Sequence, residues 1–127
     1  MERKLVSRLR SDVDLTSIIG NAIYAYRAPE DASNPLVIWQ TISSQNDRNI
    51  SGRNGIASSR VQFSCYADTL AQSRQIADAI FASLDSFVGD INGMHFISIW
   101  ESNRNDQFIN NDNSYVVYAD YQVNYMR

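Results

Sequence analysis

The spacing of apolar residues changes near the middle of the chain, between residues 60–66 and residues 70–89. Val61, Phe63 and Cys65 alternate with polar residues, which is the two-residue period of a strand with one buried face. From residue 70 the apolar residues follow a helical stripe. The stripe consists of Leu70, Ile76, Ala77, Ile80, Leu84 and Phe87. The pattern therefore predicts a strand that leads directly into a helix, and the rest of the chain reads mainly as sheet that this helix covers.

Capping residues mark both ends of the predicted helix. Thr69 followed by Gln72 fits a capping box, and Asp68 suits the positive end of the helix dipole. Gly89 follows the last apolar residue, where a left-handed C-cap is expected.

The N-terminal segment carries a second amphipathic pattern. Residues 2–10 place Leu5, Val6 and Leu9 at helical spacing with basic residues on the other side. Asp12 is placed to cap a further short helical turn that ends at Gly20. The apolar stripe is short for a membrane-surface helix, so packing on the sheet is favoured.

Two strands and a long polar segment follow. Ile23, Tyr24 and Tyr26 indicate a short strand, and residues 36–43 are a run of β-branched and aromatic residues typical of a strand. Both faces of the second strand are apolar, which indicates a central strand or a face that meets another subunit. Residues 44–57 are rich in Asn, Ser, Gly and Arg, and predict a long, hairpin-like connection. The segment is either a surface loop or an arm that orders on a partner.

The C-terminal third predicts two more strands. Asn92-Gly93 is a turn signal before a strand that starts at residue 94, and residues 102–114 are polar enough to predict a loop. The final run alternates cleanly. The face expected against the helix holds Tyr115, Val117, Ala119, Tyr121, Val123 and Tyr125. The sequence thus predicts one α+β domain over residues 1–127: a mainly antiparallel sheet of about 4–5 strands, helices packed on one face, and a long hairpin-like loop.

Composition excludes several classes of protein. The 127 residues are 44% hydrophobic with a net charge of −3, which fits a globular domain without a basic block for nucleic acid. A single cysteine, Cys65, excludes an internal disulfide and is expected to be a small buried hydrophobe. No apolar run reaches the roughly 20 residues that cross a bilayer. We therefore expect a soluble protein made in a cytoplasm, with no membrane partner.

No constellation of residues predicts catalysis, a metal or a cofactor. His95 is the one histidine, and a structural role is favoured for it in mid-strand. The pair Asp12 and Asp14 and the pair Asp106 and Asp112 lack the spacing of a calcium loop. The serines lack a Gly-x-Ser-x-Gly elbow, and no glycine-rich phosphate loop is present. We predict that the protein is not an enzyme.

A small single-stranded nucleic-acid-binding module is an alternative of another class. Such modules stack bases on exposed strand aromatics flanked by arginine. The residues available for this surface are Tyr118, Trp39 and Trp100 with Arg48, Arg53 and Arg60. The acidic balance of the chain and the position of Asp120 beside Tyr118 oppose this interpretation.

Four segments in order resemble the tail-completion, or tail-terminator, family of long-tailed phages. They are an N-terminal helix ending at Ile18-Ile19-Gly20, the run AIYAYRAPEDASNPLVIWQTIS, the block RVQFSCYADTLAQSRQIADAIFASLDSF, and ISIWESNRNDQF followed by SYVVYADYQVNY. The resemblance covers essentially the full length. No family residue transfers onto residues 44–57.

The resemblance implies a structural role without catalytic residues. The implied protein is a homo-hexameric ring on the end of the tail tube, which stops tube polymerisation and provides the surface for the head. Its partners would be itself, the tail tube protein and a head-side connector, with genome DNA passing through the lumen without specific binding. Its location would be the tail or neck of the virion, assembled in the host cytoplasm. A neck or head-completion protein is the alternative in the same setting.

If the role is structural, function lies at the loops on either side of the central strand and helix. The candidate residues for assembly contacts lie on the strand and loop around residues 39–53 and in the segment after residue 102. They are Trp39, Asn46, Arg48, Ile50, Arg53, Arg104, Asp106 and Phe108.

Overall fold

The computed structural model describes residues 1–46, 55–111 and 113–126. In chain order the elements are α1 (Glu2–Arg10), α2 (Val13–Ile19), β1 (Ile23–Ala25), β2 (Leu36–Asn46), β3 (Ile56–Ala67), α3 (Leu70–Leu84), β4 (Gly89–Ile91), β5 (Met94–Ile109) and β6 (Ser114–Met126). The strands form one sheet in the order β1-β2-β3-β6-β5-β4. All neighbours are antiparallel except β1 and β2, which are parallel.

The α+β class and the mainly antiparallel sheet are as the sequence predicts. The described residues form six strands where about 4–5 were predicted. The additional strand is β4, three residues long, and it pairs only with residues 94–96 at the start of β5. A strand this short contains too little alternation to be detected from sequence.

The prediction of a loop over residues 102–114 is wrong for most of that segment. Strand β5 continues through Ile109 and pairs with β6 until Ile109 faces Ser114. Polar residues form this strand because one face is open to solvent, and because two charged side chains on the other face, Arg104 and Asp106, bond to the helix above them. A strand exposed in this way has a polar composition similar to that of a loop, which explains the incorrect prediction.

The long connection between β2 and β3 begins later and ends earlier than the predicted residues 44–57, because β2 extends to Asn46 and β3 starts at Ile56. The two strands pair antiparallel out to Asn46 and Ala57, with one bulge between Thr41 and Ser43. This antiparallel pairing agrees with the predicted hairpin. Residues 47–54, which contain most of the predicted connection, lie outside the described residues.

Helix α3 begins as predicted and ends earlier than predicted. The Thr69 side chain accepts a hydrogen bond from the Gln72 backbone N–H at 3.2 Å, as an N-cap does. The helix ends at Leu84, and its C-cap is Asp85 in an extended conformation rather than Gly89. Asp85 and Ser86 leave the helix because they bond to the backbone of β5, at Glu101 and Ile99 respectively. Gly89, with φ of 142°, lies in β4.

Removing the N-cap of α3 is expected to have a modest, measurable cost. We expect Thr69→Ala to lower the free energy of unfolding by about 1 kcal/mol, because the Gln72 N–H loses its side-chain acceptor. Thr69→Ser keeps the acceptor and serves as the control. Urea unfolding of both variants measures the difference, and equal stability of the two would contradict the capping role.

The buried core lies between the sheet and the three helices, all on one face. Helices α1 and α2 contribute Leu5, Leu9 and Leu15, and α3 contributes Ile76, Ala77, Ile80 and Leu84. The sheet contributes Val37 from β2, Val61, Phe63 and Cys65 from β3, and Val117, Ala119, Tyr121 and Val123 from β6. The predicted inward faces of β3 and β6 are confirmed.

The opposite face of the sheet carries no helix among the described residues. At one end the loop over residues 27–35 folds across it, and Asn34 donates hydrogen bonds to Asp68 at 3.1 Å and to Ser114 at 2.8 Å. The loop lines a pocket together with Leu36, and both Leu36 and Val116 on this face are buried. The apolar second face of β2, ambiguous in the sequence, is thus covered in part by the chain itself. We call the remainder the open face.

Candidate assembly surface

The described residues contain no cluster of side chains that could hold a metal ion. His95 lies 2.8 Å from Asp90 through Nδ1, across the β4–β5 pair. Asp12 caps α2 by accepting from the Leu15 N–H, and Asp106 pairs with Arg74. No group of three or more His, Cys, Asp or Glu side chains converges in the described part of the chain. None of its helices is long and apolar enough to cross a membrane.

Cys65 is inaccessible, as the sequence predicts. It is 0% exposed in the centre of β3, and burial raises the pKa of its thiol to about 12. A thiol reacts as the thiolate, which is scarce at neutral pH when the pKa is this high.

We expect the folded protein to resist thiol reagents. At pH 8 an aromatic disulfide reagent should leave Cys65 unmodified in native buffer and modify it promptly in 6 M guanidinium chloride, because only unfolding exposes the sulfur. Absorbance of the released thiol measures the rate. Rapid reaction of the native protein would contradict the burial of this strand.

The predicted contact residues Arg104 and Asp106 lie on β5 and bond to helix α3. The Arg104 guanidinium donates to Asp78 at 2.6 Å and to Glu101 at 2.9 Å and 3.0 Å. Asp106 accepts from both Nε and Nη2 of Arg74, the former at 3.1 Å. Their side chains therefore fasten the strand to the helix of the same chain.

Arg104 is the centre of a small network at the edge of the core. Partial burial opposes its charge, but hydrogen bonds to Asp78 and Glu101 raise the pKa of Arg104 above its ordinary value. Glu101 also accepts from the Tyr121 hydroxyl at 3.3 Å. Burial, reinforced by the Glu101 charge, raises the pKa of Tyr121. The network pairs the partly buried Glu101 carboxylate with the Arg104 guanidinium.

The other predicted contact residues are dispersed. Phe108 is 47% exposed and packs on Tyr115, with ring centroids 4.9 Å apart. Trp39 is half-buried on the helix face, where it packs against Tyr26 with ring centroids 5.6 Å apart. Asn46 is the last residue of β2. Arg48, Ile50 and Arg53 lie outside the described residues. The structure therefore brings together Arg104, Asp106 and Phe108 on one strand, and does not join Trp39 to them.

Each long outer strand is covered over only part of its length. On β2, the short strand β1 pairs with Val37, Ile38 and Trp39, and no described strand pairs beyond them. On β5, β4 pairs as far as Phe96. The Ser86 N–H then donates to the Ile99 carbonyl, and the Glu101 N–H donates to the Asp85 carboxylate, which covers two more positions. In the described part of the chain, residues 103–109 have no strand on their outer side. We call residues 43–46 and residues 103–109 the two free edges.

The open face of the sheet is polar and almost uncharged. Amide side chains cross it in rows: Gln40 donates to Gln62, Gln62 to Asp120 at 3.0 Å, and Asn124 to Ser98 at 2.9 Å. The next row pairs Arg60, Gln122 and Trp100. Among these rows of described residues, Arg60 and Asp120 are the charged ones, and their charges cancel.

The surface that a nucleic-acid module would need is not assembled. Tyr118 and Trp100 lie on the open face, whereas Trp39 lies on the helix face. Asp120, two residues from Tyr118, bonds to Gln62 on the same face. Arg48 and Arg53 lie outside the described residues. The described aromatic residues therefore do not form one stacking platform.

The predicted contact residues include three on β5, the strand that contains one of the free edges, but the prediction rests on their side chains and not on the free backbone edge. The sequence predicts Arg104, Asp106 and Phe108 as contact residues in a loop, whereas their side chains turn to the helix face of a strand. The backbone of the same strand is what remains unsatisfied by other strands. Side-chain patterning gives no signal for this, since an edge is defined by which strand is absent.

One family model matches nearly the whole chain. The profile of the family described as "Tail completion protein gp17" matches residues 3–125. A chain of a solved structure titled "Virion of native gene transfer agent (GTA) particle" superposes with a TM-score of 0.80 at 14% identity, over 100% of this chain and 95% of that one. At that identity the likeness concerns the fold. No curated protein matches significantly.

Proposed function

The chain belongs to the tail completion protein gp17 family, and from this premise we propose that it forms a ring on the end of a tail tube. In this role it stops polymerisation of the tube and presents a docking surface to the head. The observation that carries the proposal is the family match, which spans residues 3–125 and so includes all of the described elements except one residue at the start of α1 and one at the end of β6. The fold shared with a chain of a gene transfer agent virion is consistent with a structural virion component.

The organisation of the core supports one rigid building block. Side chains from all three helices and from all six described strands belong to a single cluster of buried residues, so we propose that residues 1–127 act as one domain. A subunit that sets the end of a polymer needs fixed contact surfaces, and a shared core fixes the sheet edges relative to the helices.

The open face is the surface that best suits a channel for DNA. Its amide rows carry one positive and one negative side chain, Arg60 and Asp120. Affinity for DNA comes largely from lysine and arginine at the phosphates, and this face offers little of it. We propose that it faces the channel, where DNA passes without specific binding, and that the helices face outward.

The proposed partners follow from this orientation. They are other copies of the chain within the ring, the tail tube protein on one side and a head-side connector on the other, in a virion assembled in the host cytoplasm. The second candidate is a neck or head-completion protein with the same fold. The two differ in the surface that is bound first: a terminator binds the end of the tube, and a neck protein binds the connector.

Deletion in the virion-producing system that encodes this chain tests the function. We expect tails of abnormal length, or tails of normal length that fail to join heads, and restoration of both by the chain supplied in trans. Electron micrographs give the length distribution and the fraction of joined particles. Normal tails joined to heads without the chain would contradict the proposal. Unjoined tails of normal length in the deletion, together with binding of the chain supplied in trans only to heads, would favour the neck protein.

A further inference from the structure

We propose that the ring is closed by strand pairing, in which the β5 free edge of one copy adds to the β2 free edge of the next. The inference rests on the proposed ring and specifies the surface that closes it. The occupant of each edge is therefore a second copy of this chain.

The backbone direction at the β5 edge follows from two observed bonds. The Ile99 carbonyl accepts from Ser86 at 2.7 Å, and the Glu101 N–H donates to Asp85 at 2.8 Å, so both residues point away from β6. Neighbouring residues in an antiparallel strand alternate in direction. The register with β6 shifts by one residue at the bulge between Glu101 and Asn103. After this shift, the backbone N–H and carbonyl groups of Arg104, Asp106 and Phe108 point outward, away from β6.

The β2 edge is oriented in the same way. The Val37 N–H and the Trp39 carbonyl bond to Ala22 and Tyr26, on the outer side of β2. Past the bulge between Thr41 and Ser43, Ser44 faces Ser59 of β3. The alternation then turns the backbone of Ser44 outward.

The two edges match in side-chain phase. The side chains of Arg104 and Asp106 lie on the helix face of β5, where they bond to α3. Ser44 lies on the same face, with its hydroxyl oxygen 2.7 Å from that of buried Ser59. Residues that exchange hydrogen bonds in an antiparallel pair carry their side chains on one face. Joining the edges therefore continues the helix layer and the open face from copy to copy.

Strand direction matches as well. The four long strands β2, β3, β6 and β5 alternate in direction across the sheet. A copy rotated about an axis beside the sheet therefore presents its β2 antiparallel to β5 of the first copy. Neither edge carries the charged side chains pointing across it that normally prevent such pairing, because Arg104 and Asp106 are neutralised by α3.

The positions of the free edges require strands that are tilted in the ring. Asp106 is in the cross-strand row of Cys65, whereas Ser44 is in the row of Ser59. This separation of six residues (65 − 59) is about 20 Å along the strand, against about 19 Å across four strands. The stagger corresponds to a tilt of about 45°, close to the usual tilt of closed barrels. Six copies would enclose a sheet about 50 Å across, wide enough for a DNA duplex.

Proline at an outward backbone position tests the pairing. Proline removes the N–H and is tolerated only where no strand is paired. The test variants are Phe108→Pro and Ser44→Pro. Their matched controls, Phe108→Thr and Ser44→Ala, lose the same side chain and keep the N–H. Mass photometry of the full chain, alone and mixed with purified tail tubes, measures assembly, and circular dichroism checks the fold.

We expect rings for the natural chain and both controls, and folded monomers for both proline variants at the same concentration. Proline variants that still form rings overturn the edge pairing and leave the proposed function standing. If the natural chain forms no rings, either alone or mixed with tail tubes, both the proposed ring and the proposed strand pairing are overturned.

A cross-link decides the matter if a proline variant does not fold. Two double variants are used, Ser44→Cys with Phe108→Cys and Ser44→Cys with Asp106→Cys. Each places two thiols across the proposed junction, and the two variants test alignments of the strands that differ by two residues. Under mild oxidant one of the two pairs should give a ladder of disulfide-linked copies up to the closed ring. The single variants should stop at dimers, since Cys65 is buried. Absence of a ladder from both pairs overturns the proposal.

Discussion

Phe63→Ala is expected to lower the free energy of unfolding by about 3–5 kcal/mol. Phe63 is 0% exposed at the centre of β3, and its ring meets the Tyr121 ring edge-on, with centroids 5.7 Å apart. Alanine removes that contact and leaves a cavity beneath α3, which close-packed neighbours fill only in part. Urea unfolding at a fixed protein concentration measures the loss, because assembly makes stability concentration-dependent.

Phe81→Ala is the matched control for Phe63→Ala. Phe81 is an aromatic residue on α3 that is 41% exposed, and we expect its replacement to cost no more than about 1 kcal/mol. A cost below about 1 kcal/mol for Phe63→Ala as well would mean that the inward face of β3 is assigned wrongly.

Arg104→Met is expected to cost about 1.5–3 kcal/mol. Methionine keeps the apolar stem of the side chain but removes the guanidinium that holds Glu101 and Asp78. The Glu101 side chain is only 16% exposed, so its carboxylate would lose its cationic partner without full access to water. The loss should therefore come mainly from that carboxylate, and chemical unfolding of the variant measures it.

Two further variants separate the network from a simple surface ion pair. Arg74→Met breaks the pair with Asp106, but the Arg74 side chain is 55% exposed, and we expect a cost of at most about 1 kcal/mol. Adding Glu101→Gln to Arg104→Met removes the unpaired charge and should recover part of the stability. Equal losses for Arg74→Met and Arg104→Met would contradict a special role for Arg104.

The sequence predicts best those elements whose side chains meet the core. The alternation through Val61, Phe63 and Cys65 and the helical stripe through Ile80 and Leu84 are direct consequences of burial, and the structure confirms both. The capping residue Thr69 is local chemistry and is confirmed for the same reason.

The incorrect predictions concern elements whose form depends on a distant partner. Residues 102–109 contain no apolar alternation, and they are a strand because β6 pairs with them and α3 bonds to their charges. The C-cap at Gly89 fails because Asp85 and Ser86 bond to β5 instead. The free edges are even harder to predict from local sequence, because they exist only where β1 and β4 are too short to cover the neighbouring strands. No local pattern encodes that length.

The most direct test of the central claim is a cryo-electron microscopy reconstruction of the assembled particle at the junction of tail and head. We expect a closed ring of copies of this chain between the end of the tail tube and the head-side connector. Its open faces should line the channel, and β5 of each copy should lie beside β2 of the next. A junction without this chain, or a ring whose helices line the channel, would contradict the account.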